Sequence, residues 1–79
     1  QINYPKKAKR TNVEGQVILE FVIDTNGEVS DIKVLKGIGF GCDEEAIRVL
    51  ENAPRFTPGK QRGKPVRVRQ TLPIFFRLH

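Results

Sequence analysis

The chain has 79 residues, with five Phe, no Trp and no Met, and 14 Lys and Arg against 9 Asp and Glu give it a net charge of +5. That length suits one domain with a marginal core, because a domain this small buries only about 60% of the surface its unfolded chain exposes. A single cysteine, Cys42, excludes a disulfide scaffold and a zinc ribbon.

In chain order, the first element is a short helix. Tyr4-Pro5 is followed by Lys-Lys-Ala-Lys-Arg; proline fits the first helical turn and the residues after it propagate a helix well, which predicts a helix over 5–11. The stretch from Gly15 alternates: Val17, Leu19, Phe21 and Ile23 share one face of a strand, and Gln16, Ile18, Glu20 and Val22 share the other. Asp24-Thr25-Asn26-Gly27 reads as a hairpin turn, with Gly27 at positive φ. A second strand is expected over 28–36; its apolar phase slips between Val29 and Ile32, as at a bulge.

Gly37-Ile38-Gly39-Phe40-Gly41 is a connection into a helix read from Cys42-Asp43-Glu44-Glu45. Cys42 or Asp43 is the expected cap, and the acids sit where the helix dipole favours them. Ala46, Ile47, Leu50 and Ala53 form its apolar stripe, Glu44 and Arg48 are spaced as i,i+4 partners, and Pro54 stops it. Residues 55–64 read as a loop. A third strand is expected over 65–78, with Val66, Val68, Leu72, Ile74, Phe76 and Leu78 on one face and Arg67, Arg69, Thr71, Pro73, Phe75 and Arg77 on the other.

This order predicts an α+β domain of two layers: a three-stranded antiparallel sheet in the order 2-1-3, packed against one main helix, with a short N-terminal helix. The third strand then lies on an edge, where proline is tolerated.

Charge is distributed unevenly. All the acids lie between Glu14 and Glu51, and Lys6, Lys7, Lys9 and Arg10 precede them. Seven bases and no acid follow Glu51. Basic ends suit an anionic partner and equally a plain solvated face.

Enzyme and cofactor chemistry find little support. The glycine loop is spaced G-x-G-x-G, and three carboxylates at the following helix start would repel a pyrophosphate. His79 is terminal, Cys42 has acidic neighbours that oppose a thiolate, and no spacing resembles a metal site. No catalytic residue, metal or cofactor is therefore assigned. Lys60, Arg62, Lys64, Arg67 and Arg69 keep nucleic acid as a minor alternative, but sheet-face RNA binders stack bases on two or three aromatics and this strand offers Phe75 alone. Strand addition to the exposed edge is the stronger reading. Arginine and proline are ordinary protection for such an edge, and main-chain bonds can still dock a partner there.

The ordered set of motifs resembles the TonB C-terminal domain family. It comprises Tyr4-Pro5 with Ala8, the Glu14-Gly15-Gln16-Val17 entry into a strand and the Asp24, Gly27, Val29 hairpin. Asp43-Glu44-Glu45-Ala46 in the helix follows, then the run from Arg55-Phe56-Thr57-Pro58-Gly59 into the last strand. The resemblance covers nearly the whole chain. It implies one domain, residues 1–79, cut from a longer inner-membrane-anchored protein with this part in the periplasm. It further implies an energy transducer that draws on the ExbB–ExbD complex through its absent N-terminal part. Such a domain serves TonB-dependent outer-membrane receptors by pairing their TonB box with its last strand.

Residue by residue, the resemblance places Gln1, Ile2, Asn3 and Tyr4 near box and plug, and Lys7 where a base can meet an acid on the plug. Arg67, Val68, Arg69, Gln70, Thr71, Leu72, Pro73 and Phe75 fall on the box-pairing strand. Ile2 stands where the family often has proline. Pro73 removes a donor, so the ladder is expected to stop, bulge or turn the missing donor inward there, with pairing centred on residues 67–71. The edge also allows a weak homodimer. The alternative function is a TonB-like interaction or sensing module of a different membrane protein.

Overall fold

The computed structural model describes residues 2–78; the terminal Gln1 and His79 lie outside them. The elements are α1 (Lys6–Arg10), β1 (Gly15–Ile23), β2 (Val29–Lys36), α2 (Cys42–Glu51), β3 (Gly59–Gln61), β4 (Lys64–Val66) and β5 (Val68–Phe76).

Helix α1 starts after Pro5, at φ −60°, and closes with a left-handed residue, Asn12 at φ +57°. The Asn12 and Val13 amides donate back to the Lys9 and Ala8 carbonyls at 3.3 and 2.8 Å, which satisfies the last turn and redirects the chain into β1.

The main sheet has the order β2-β1-β5, with both pairings antiparallel, as the alternation predicts. Gly27 takes φ +83° in the β1–β2 turn, where the Asp24 carboxylate accepts from the Asn26 and Glu28 amides at 2.8 and 3.0 Å. The expected slip in β2 is present between the Glu20–Lys33 and Val22–Ser30 pairs, with Asp31 at φ +52°, and a second lies between Ile18–Lys36 and Leu19–Val34.

The core lies between one face of this sheet and the helices. Val17, Leu19, Phe21 and Ile23 from β1 meet Ile74 and Phe76 from β5, with Ala8, Cys42, Ala46 and Leu50 from the helices. Small residues on both helices fill the contact, and Ala8, Cys42 and Ala46 are fully buried.

Three local expectations change. Gly41, at φ +85°, caps α2 in place of Cys42 or Asp43. The Asp43 carboxylate instead accepts from the Ile38 and Gly39 amides at 2.9 and 3.2 Å, bracing the loop before the helix. Arg48 pairs with Glu45 at i,i+3, Nη2 to Oε2 2.7 Å, in place of the expected Glu44 pairing.

The third change concerns the last strand. Residues 55–64, read as a loop, include half of a second hairpin in which β3 pairs with β4 around Arg62 and Gly63. Both turn residues take positive φ, +54° and +78°, the hand that matches strand twist in a two-residue turn. The single strand expected over 65–78 is therefore two, β4 and β5, separated at Arg67.

Candidate functional site: the outer edge of β5

Strand β5 pairs with β1 without a shift from Val68, opposite Ile23, to Phe76, opposite Gly15. Among the described residues no strand pairs with its other side. Leu72, Ile74 and Phe76 face the core, and Arg69, Gln70, Thr71, Pro73 and Phe75 are exposed.

Pro73 sets the phase of this edge. It lies opposite Ile18 inside the unbroken register. In an antiparallel pair, alternate residues turn both main-chain groups toward the partner or away from it. A nitrogen without hydrogen aimed at β1 would cost the ladder a bond there. The uninterrupted pairing therefore puts the Pro73 nitrogen on the open side. The ladder with β1 runs through Pro73 without a break and the missing donor faces outward, so of the three options expected for pairing with a box the inward turn drops out. By the same alternation the Arg69, Thr71 and Phe75 amides also point outward. Gln70 and Leu72 turn their main-chain groups toward β1.

The exposed sheet face beside this edge carries paired charges. Arg69 Nη1 lies 3.1 Å from Glu20 Oε1 across the β1–β5 pair, and Arg67 Nη2 lies 3.7 Å from Asp31 Oδ2 in the β2 bulge. Val22, on this same face and flanked in register by Ser30 and Arg69, is nearly buried at 4% exposure. Arg69 stands opposite it in register, and an arginine's aliphatic stem can cover an apolar neighbour while its head stays in water. At the far end of the strand Phe75 is half exposed. The Arg77 guanidinium sits 5.5 Å from its ring centre, over a shallow hollow lined by Glu14, Gly15 and Gln16.

The N-terminal residues fall into two groups. Tyr4 is tied into the fold: its hydroxyl donates to the Val13 carbonyl and its ring meets Phe76 edge-on at 5.6 Å. Ile2 and Asn3 are exposed, and the Asn3 amide donates to Glu45 Oε2 at 2.6 Å. The hydrogen bonds from Arg48, reinforced by that from Asn3, hold the Glu45 carboxyl down at about 2 against opposing desolvation. Lys7 is exposed on α1. Tyr4 thus brings the N-terminal segment to the Phe76 end of β5, five residues or roughly 17 Å along the strand from Thr71. Gln1 lies outside the described residues.

Cys42 is fully buried, and burial, then Asp43 and Glu44, raise its thiol pKa. Sequence reasoning missed the acids that hold the two arginines and the basic β3–β4 hairpin. Arg62-Gly63 between short polar runs was the available signal for the hairpin.

Comparison with known proteins bears on the family and the fold. Residues 1–78 match the family model for the Gram-negative bacterial TonB protein C-terminal region. Protein TonB of Pseudomonas aeruginosa is 31% identical over 75 residues, 95% of this chain and 22% of that protein. Protein TonB of Helicobacter pylori strain J99 is 48% identical over 33 residues, 42% of this chain and 12% of that protein. The chain thus spans less than a quarter of the curated relatives it matches. A solution structure of the Helicobacter pylori TonB C-terminal domain superposes with TM-score 0.75 at 32% identity, covering 98% of this chain and 69% of that one. The Pseudomonas aeruginosa domain gives 0.73 at 28% identity, covering 99% and 79%.

Proposed function

Because the chain belongs to the TonB C-terminal family, we propose that it is the receptor-binding end of an energy transducer, which takes up the TonB box of an outer-membrane receptor as a strand along the outer edge of β5. The observation that carries this reading is the nine-residue edge strand whose outer side has no strand beside it among the described residues.

The work done is mechanical. A strand laid along β5 shares a load applied along its length over several main-chain bonds, each worth about 0.5–1.5 kcal/mol net. The link resists pulling while it remains reversible. Anchoring in the inner membrane and coupling to ExbB–ExbD belong, on this reading, to the part of the protein preceding this domain; none of the described helices is long and apolar enough to cross a membrane.

An NMR titration with a TonB-box peptide tests the proposal. The largest amide shifts are expected at residues 67–71. Shifts confined to α2 would contradict it.

A further inference from the structure

The β3–β4 hairpin carries a second proline in the same kind of position as Pro73. Pro65 lies opposite Lys60 inside the pairing that joins Gly59 to Val66 and Gln61 to Lys64. A nitrogen without hydrogen holds that place at no loss to the hairpin only if it points away from β3. Lys64 and Val66 then turn their main-chain groups toward β3, as Val68, Gln70 and Leu72 turn theirs toward β1.

The alternation runs through the break at Arg67. A side chain at Gly59 would meet those of both Val66 and Val68, so these two valines share a face, with Arg67 between them on the other. The Phe56 amide donates to the Gly27 carbonyl at 3.0 Å, which holds the segment leading into β3 against the β1–β2 turn. By this alternation β3 lies on the same side of the last strand as β1. Among the described residues no strand pairs with the opposite side from β4 to β5.

Along that edge the outward-facing residues are 65, 67, 69, 71, 73 and 75. The first and fifth are proline. We infer that Pro65 and Pro73 bracket the docking edge, limiting main-chain pairing to residues 67–71 and fixing its register. This deepens the strand-addition reading and rests on it. Within the bracket the edge offers the amides of Arg67, Arg69 and Thr71 as donors. At either end it offers a carbonyl but no donor, so a partner carbonyl placed there loses its bond. The partner is an extended peptide segment of about five residues, free of proline at positions turned inward.

Titration calorimetry with a nested series of TonB-box peptides, from about four to about ten residues long, tests this. Affinity for the unaltered domain is expected to rise with length until residues 67–71 are covered, and then to level off. In Pro73→Val the longer peptides gain about 3- to 10-fold and the Phe75 amide becomes protected, since one added net hydrogen bond is worth that much. Pro65→Val extends the ladder at the other end and gives an independent reading. Equal affinity of the long peptides for all three proteins, or protection of Phe75 equal to that of Thr71 without substitution, overturns the bracket while leaving strand addition standing. If no peptide of any length binds any of the three proteins, strand addition itself fails and the bracket fails with it.

Discussion

Arg69 is joined to Glu20 across the β1–β5 pair, at 3.1 Å, on the face of the sheet opposite the buried residues of β1 and the helices packed on them. The arginines that make the last strand look like a nucleic-acid surface in sequence are therefore partly engaged inside the domain. Removing both members together leaves net charge unchanged. Glu20→Gln with Arg69→Gln is expected to cost about 0.2–1 kcal/mol of stability, as exposed pairs do, and to leave the rate of peptide association intact. Lys60→Gln with Lys64→Gln removes two positive charges from the hairpin. It should slow association with an acidic peptide at low salt, with the difference fading as salt rises. Stopped-flow rates at several salt concentrations check both.

Tyr4 separates a folding role from a binding one. Its hydroxyl donates to the Val13 carbonyl and its ring rests on Phe76. Tyr4→Phe should cost about 1 kcal/mol and Tyr4→Ala about 2–4 kcal/mol in urea unfolding. Peptide affinity of the folded Tyr4→Phe protein is expected to stay within twofold of the unaltered domain.

Gly27 couples the first hairpin to the second. Its φ of +83° disfavours any side chain, and a Cβ there would collide with the Phe56 carbonyl. Gly27→Ala should cost about 2 kcal/mol or more and release Phe56, whose ring lies 5.7 Å from that of Phe21. Amide relaxation is expected to show the β3–β4 hairpin loosening before the β1–β5 pair.

Glu45 gives the domain a pH dependence in the acid range. Arg48 and the Asn3 amide hold its carboxyl near 2, below the ordinary 4.5. Its stabilisation is therefore complete above about pH 4.5 and is lost as pH falls toward 2. Glu45→Gln should be less stable than the unaltered domain by up to about 1 kcal/mol at pH 7, and the two should converge near pH 2 in thermal melts.

The main sheet was legible because β1 and β5 bury one face each, and a period of two assigns every side chain to a face. Topology followed from the long crossing through α2, and Pro73 fitted an edge. What was not legible depended on contacts between segments distant in sequence. Asp31 and Glu20 meet arginines of the last strand only once the sheet is assembled. Glu45, which pairs with Arg48, also receives the Asn3 amide, a contact across 42 residues. The β3–β4 hairpin has no apolar alternation, since Lys60, Gln61 and Lys64 are all exposed, so only its turn residues mark it. Proline at 73 indicated an edge; which way its nitrogen faces required the register.

Amide hydrogen exchange at Arg69 and Thr71, with and without a TonB-box peptide, tests the central claim most directly. The account predicts that these two amides exchange fast in the free domain and at least about tenfold slower in the complex, while Gln70 and Leu72, already bonded to β1, change little. Binding that leaves Arg69 and Thr71 exchanging as before would contradict it.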